Sequence, residues 1–167
     1  MDITLVRVDN RLVHGQILEA WVPFLSASCI VVVDDQVASD FFRETVIRMA
    51  VPSEISVVIS RLEDFGDTYV SKTCNGQKTI ILFSNISDAL KAYNLGFRYE
   101  KLNVGNVYNE DCKLCCTPSV LLSENDIRDI SVLHEEGVQI EFRRVPREKP
   151  VDFYDAIRGG ASQAKVE

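Results

Sequence analysis

The chain has 167 residues, 46% of them hydrophobic and 26% charged, with a formal net charge of −7. That size and balance suit one soluble domain with a real core. The acidity, with no basic stripe interleaved with aromatics, argues against nucleic acid as a partner, and no apolar run approaches the roughly 20 residues that span a bilayer. The opening MDITLVRVDN has an acid at position two and no cleavable apolar segment, so a cytoplasmic protein is expected. The cysteines are Cys29, Cys74, Cys112, Cys115 and Cys116. An odd number without a secretion signal points to reduced thiols.

In chain order, Ile3–Val8 reads as a strand and Gln16–Leu25 as an amphipathic helix. Cys29–Val33 is an unbroken apolar run, the mark of a strand buried on both faces. Ser39 or Asp40 caps a helix whose apolar residues Phe42, Val46, Ile47 and Ala50 recur at helical spacing, and Pro52 ends it. Ile55–Ile59 predicts a third strand, and a weaker helix follows over 62–69. Cys74-Asn75-Gly76 is a turn signal before a fourth strand, Thr79–Phe83. Ser87 or Asn85 caps the next helix and Gly96 closes it. Lys101–Val104 is a fifth strand. An irregular stretch leads to extended Ser119–Leu122. Ser123 to Asp126 opens another helix, closed by Gly137, and Val138–Val145 is the last strand.

Strands alternating with helices predict right-handed crossovers. The expected fold is α/β: a single-domain, doubly wound, mainly parallel sheet with helices on both faces. The domain is expected over 1–146. Residues 147–167 mix charge, Pro and Gly and read as a C-terminal tail, with a turn of helix at 153–157 and fraying from Gly159.

In such sheets, ligands bind beyond the carboxyl ends of the strands. Asp9 to Gly15 lies there for the first strand, Asp34 and Asp35 for the second, Ser84 and Asn85 for the fourth, and Asn103 to Asn106 for the fifth. Within this rim, Arg11-Leu12-Val13-His14-Gly15-Gln16 sets an imidazole at a strand-to-helix turn, three residues after a guanidinium. Helix starts favour anions and disfavour an imidazolium. His14 is therefore placed as a neutral nucleophile that becomes anionic when phosphorylated, with Arg11 holding the phosphate. N–H groups around Val13 to Ile17, Gly15 and Gln16 among them, complete a cradle. Asn103 and Gly105 are further candidate binding residues. A structural histidine is the plainer alternative. Asp9 has two readings, orienting the imidazole or Arg11, or capping the turn, with the cap the simpler.

Val6-Arg7-Val8-Asp9-Asn10-Arg11-Leu12-Val13-His14-Gly15-Gln16, followed by Trp21, resembles the opening of the IIB components of the mannose/fructose/sorbose family of the bacterial phosphotransferase system. Val32 to Ala38, Leu102-Asn103-Val104-Gly105, Asp126-Ile127 and Gly137 to Pro146 extend the resemblance in order over residues 3–146. The resemblance implies a cytoplasmic phosphotransferase, with His14 as phosphoryl acceptor on Nδ1 and Arg11 as phosphate contact. It implies a IIA donor, a sugar acceptor held by membrane IIC and IID partners, and peripheral association with the inner membrane through them. A carrier that signals its phosphorylation state to a regulator is the alternative output. No cofactor is implied.

Two features depart from that pattern. Asn106 stands where the family commonly has a second glycine. Cys112, Cys115 and Cys116 form a Cys-x-x-Cys-Cys cluster that can hold zinc or simply pack as small apolar residues; no metal site is expected.

Overall fold

The structure, a computed structural model, describes the backbone of residues 1–65 and 72–163, with side chains through 159. Its first half contains β1 (Asp2–Asp9), a π-helix (Gln16–Trp21), α1 (Val22–Leu25), β2 (Cys29–Val33), α2 (Asp35–Ala38), α3 (Phe41–Ala50), β3 (Ser56–Ser60) and β4 (Lys78–Phe83). Then come α4 (Ile86–Asn94), β5 (Lys101–Asn106), β6 (Leu114–Thr117), β7 (Val120–Leu122), α5 (Glu124–Glu135), β8 (Gln139–Phe142), β9 (Val151–Asp152) and α6 (Phe153–Gln163). Of the helix expected over 62–69, the described part, 62–65, is a turn, and the rest lies outside the described residues.

Seven strands form one sheet in the order β3-β2-β4-β1-β5-β8-β9, parallel except for the β8–β9 pair. Side chains alternate between its faces. Val6, Val8, Val31, Val33, Ile81 and Phe83 meet Ala89, Ala92, Ile130, Leu133 and Phe153 from α4, α5 and α6. Leu5, Ile30, Val32, Ile80 and Leu82 meet Ile17, Trp21, Val22 and Val37 from the π-helix, α1 and α2. Burial on both faces explains why β2 carries five apolar residues in a row; each such side chain contributes about 1.5–3 kcal/mol. The expected doubly wound α/β architecture is observed.

Several local expectations are corrected. The apolar face predicted for α3 is largely outside the core. Ile47 packs inward, but Phe42 is 75% and Val46 49% exposed. The unforeseen α2 is the reason: Val37 fills that part of the core, and α3 rides outside it. Within the stretch read as irregular, Leu114–Thr117 forms β6, which pairs antiparallel with β7 in the segment expected to be extended. The tail expected from 147 is part of the fold. β9 pairs antiparallel with β8, and α6 runs to Gln163 with Phe153 and Ala156 in the core. Their burial carries the helix through Gly159 and Gly160, where fraying was expected. The sulfurs of Cys29 and Cys74 lie against each other in the core, and Cys112, Cys115 and Cys116 are free thiols.

The connection from β1 crosses to β2 on one side, whereas that from β5 leads to β8 on the other. The carboxyl ends of β1 and β5 therefore flank the topological switch point, where an open parallel sheet offers a crevice.

Candidate functional site

Asp9 ends β1 and is fully buried. A register shift between Val8 and Asp9 sets it opposite Asn106, the last residue of β5. The chain then turns sharply. Leu12 N–H donates to the Asp9 carbonyl at 2.9 Å, and Arg11 N–H donates to Asp9 Oδ1 at 3.0 Å. Leu12 has φ +55° and is buried. A bulky residue adopts that left-handed backbone only where its surroundings impose it, and here the side chain is anchored in the core cluster of Ile17 and Trp21. Beyond His14 the expected helix starts on time but winds as a π-helix, with Val22 N–H donating to Ile17 O. Pro23 has no N–H to continue an α ladder, and the wider turns lead into it.

His14 Nε2 lies 2.8 Å from Asp9 Oδ2, and Gln16 N–H faces His14 Nδ1 at 3.4 Å. The same Oδ2 accepts from Arg7 Nη2 at 2.9 Å, Arg7 Nε at 3.2 Å and Asn106 Nδ2 at 2.8 Å. Burial alone would raise the Asp9 pKa. The His14 hydrogen bond, the Arg7 charge and the Asn106 amide outweigh it and hold the carboxyl below its ordinary value. An ionised carboxylate can only accept, so Nε2 carries the ring proton and the lone pair of the neutral imidazole sits on Nδ1. The arrangement is an imidazole oriented by a carboxylate that is itself held by a third group, Arg7.

Behind it runs a buried polar row. Arg7, Asn103 and Glu141 are register neighbours on β1, β5 and β8. Arg7 Nη1 donates to Asn103 Oδ1 and, at 2.9 Å, to Arg143 O. Asn103 Nδ2 donates to Glu141 Oε1 at 3.1 Å. Glu141 is paired with Lys101 at 2.8 Å and Arg143 at 3.3 Å. Burial lowers the Arg7 pKa, and the Asp9 and Glu141 charges oppose that shift. The Arg7 and Arg143 guanidinium carbons lie 5.5 and 5.1 Å from the Trp21 ring centroid, and Trp21 Nε1 donates to Arg144 O at 2.8 Å. The loop after β8 is thereby tied down beside the row.

Comparison with known proteins identifies the family of the chain. The model of the family described as PTS system sorbose subfamily IIB component matches residues 3–166. The chain belongs to that family. It is 32% identical to the PTS system fructose-specific EIIB component of Bacillus subtilis, covering 95% of this chain and 97% of that one. It is 31% identical to the sorbose-specific EIIB component of Klebsiella pneumoniae, with 94% and 96% covered. Among solved structures, the IIBSor domain of the Klebsiella pneumoniae sorbose permease superposes with a TM-score of 0.85 at 31% identity, covering 95% and 98% of the two chains.

Not all of the residues expected at the site of this IIB component lie at its surface. Asp9, His14 and Gln16 meet, Gln16 Oε1 accepting from Asn106 Nδ2 at 3.0 Å. Asp9 both holds the turn and orients the ring, so its two readings are not exclusive. Arg11 is exposed, with no side-chain partner among the described residues. Val13 packs on the core, and Gly15 is exposed at the π-helix start. Asn103 and Gly105 sit one layer deeper. Asn103 is fully buried, and Gly105 makes room for the Arg7 guanidinium. Asp34 accepts from Val37 N–H and Asp35 from Leu62 N–H, which engages them away from the histidine loop. Arg7, Glu141 and Arg143 were not among the expected site residues, and Asn106 was expected on the rim but not as a partner of Asp9; an arginine inside the apolar run Ile3–Val8 was the available signal. No group of three metal-ligating side chains occurs among the described residues. Burial, with Cys115 and Cys112 nearby, pushes the Cys116 thiol up to about 12.

Proposed function

We propose that this IIB component is a cytoplasmic phosphocarrier. It takes a phosphoryl group on His14 from the phosphohistidine of a IIA partner and passes it to a sugar entering through membrane IIC and IID partners, with which it associates peripherally at the inner membrane. The observation that carries this reading is the His14–Asp9 contact, which puts the ring proton on Nε2 and leaves Nδ1 as the nitrogen with the lone pair. In the first transfer, Nδ1 forms the new N–P bond as the donor's N–P bond breaks. Positive charge spreads over the ring and is met at Nε2–H by the Asp9 carboxylate, with Arg7 keeping that carboxylate ionised. Arg11, without a side-chain partner among the described residues, supplies a charge-assisted donor for the phosphoryl oxygens. In the second transfer, the Nδ1–P bond breaks as a sugar oxygen bonds phosphorus, and the hydroxyl proton is released. The ring returns to the neutral tautomer in which it began.

Names among the relatives support the donor and acceptor classes. The mannose-specific EIIAB component of Escherichia coli, 28% identical, has this chain matching 49% of its length. Other relatives are named for fructose, sorbose and N-acetylgalactosamine. Among the described residues no helix is long and apolar enough to cross a membrane, which suits a carrier that meets its membrane partners from outside the bilayer.

The test is mass spectrometry of the intact protein after exposure to a complete upstream relay. The expected result is one acid-labile, base-stable phosphoryl group, mapped to His14 and absent from His14→Ala. Labelling at another residue in His14→Ala overturns the assignment.

A further inference from the structure

α3 turns an apolar stripe to solvent. Two ridges at four-residue spacing run side by side along it, with Phe41, Thr45 and Met49 in one and Phe42, Val46 and Ala50 in the other. Phe41 is 85% and Met49 81% exposed, and Phe42, Val46 and Ala50 are open beside them. The Thr45 hydroxyl donates to the Phe41 carbonyl at 2.7 Å, so it leaves no free donor in the stripe. The fold does not call for these side chains. Ile47 packs inward, Asp40 caps the first turn, and Arg48 Nη1 donates to Val57 O on the edge strand β3 at 2.9 Å.

The stripe is large enough to be an interface. An aromatic side chain carries roughly 150–250 Å², so Phe41, Phe42, Met49 and Val46 together show on the order of 500 Å² of apolar surface. That lies at the upper end of what a monomer leaves open. Two copies meeting through it remove about 1,000 Å² from water, which is what a specific interface needs, and Arg43, Glu44 and Arg48 at the margins add to it.

The stripe is also complementary to itself. Helices pack most often with their four-residue ridges interdigitated. An antiparallel two-fold between Thr45 and Val46 sets Phe42 against Met49 of the second copy, an aromatic ring on a thioether, and the large Phe41 over the small Ala50. Glu44 and Arg48 pair at 2.8 Å on one flank of the helix and are partly exposed. The same two-fold brings Glu44 of each copy alongside Arg48 of the other, so the charges match as well as the shapes. An anionic bilayer suits the stripe less. Interfacial helices carry an excess of Lys and Arg, whereas here Asp40 and Glu44 balance Arg43 and Arg48, in a chain of net charge −7.

We propose that this chain pairs with a second copy of itself through α3, face to face about a two-fold axis. β3, to which α3 is tied, stands three strand spacings, about 14 Å, from β1, where the histidine loop begins. Pairing there leaves the switch point of each copy to other partners, and it is independent of whether His14 carries phosphate. Sedimentation equilibrium of the full chain is run from about 1 µM to 1 mM, with amide NMR spectra over the same dilution. The mass is expected to rise from 18.8 kDa toward twice that value. Half-conversion falls in the micromolar range, as suits so small an interface, and the shifts that follow dilution are confined to α3 and its neighbours. Phe42→Glu and Met49→Glu each weaken pairing by more than about tenfold and keep the parent's urea melt, as exposed substitutions do. A monomer across the whole range overturns the proposal. So does a dimer that survives both substitutions, which places the contact elsewhere. So do α3 shifts that appear only with added IIA protein or anionic vesicles, which give the stripe another occupant.

Discussion

The guanidinium of Arg7 packs so closely on Gly105 that a Cβ added there would lie 1.8 Å from Nη2 and 1.9 Å from Cζ. The glycine on β5 thus makes room for the cation that holds Asp9, and Asp9 orients His14.

Gly105→Ala forces Arg7 to move without touching His14 or Asp9. Overpacking a buried site costs about 1–3 kcal/mol, and the expected outcome is a loss of that size in urea unfolding. With Arg7 displaced, the Nε2–H tautomer is no longer fixed. Nitrogen-15 shifts of the His14 ring should show a tautomer mixture in the variant and one tautomer in the parent.

Asp9→Asn keeps the side-chain shape and removes the charge. Arg7 is then buried beside Asn103 without its nearest anion. Breaking a buried pair from one side costs about 3–5 kcal/mol, readable in denaturant melts. Phosphate acceptance by the folded fraction should fall by on the order of 10²–10⁴-fold, the range seen when a histidine loses its orienting carboxylate. Equal initial rates in the two proteins would remove Asp9 from the mechanism.

The same carboxylate predicts an acid limit to stability. Its folded pKa lies below its unfolded value of about 3.9, so the stability it contributes is fully present above that pH. Below it, the unfolded state binds the proton more readily than the folded state, and stability falls as pH drops toward the folded pKa. Urea melts at stepped pH should show this slope below about pH 4. It should be shallower in Asp9→Asn, where Glu148, held below its ordinary value by its hydrogen bond to Arg144, still contributes.

Arg11 separates function from folding. Its side chain is exposed and unpartnered among the described residues, so Arg11→Ala should leave the melting curve within about 0.5 kcal/mol of the parent. Loss of a charge-assisted donor to the phosphoryl group should slow acceptance by on the order of 10²-fold. Stopped-flow transfer from phosphorylated IIA measures it.

The fold was legible because its rules are strong ones. Continuous apolar strands and the capping residues Asp40, Asn85 and Ser123 each marked an element that is present. The short α2 was not legible, because four residues carry too little periodicity to register. The exposed side of α3 misled for a related reason: helical spacing shows that a stripe exists, and the neighbouring element decides whether it is covered. At the site, His14 and the turn around it stood out in one local stretch. Asn106 and Glu141 did not, because they reach Arg7 and Asp9 only through strand register, across more than 90 positions of chain for Asn106. Arg7 was visible as a charge in an apolar strand, but a guanidinium there reads as an edge feature until its partners on β5 and β8 are seen.

The polar row through Arg7, Asn103 and Glu141 divides the sheet into unequal wings. On the β2–β4 side the strands between the helical layers are almost wholly hydrocarbon. On the β5–β8 side one layer is held by ionic and amide groups, which release readily once water enters. In deuterium exchange the β2 and β4 amides should be the last to label, opening only with the whole molecule, while those of β8 and the loop after it label through smaller openings. The chemistry would then sit on the looser half of a rigid plate, where a transient partner can be admitted without loosening the frame.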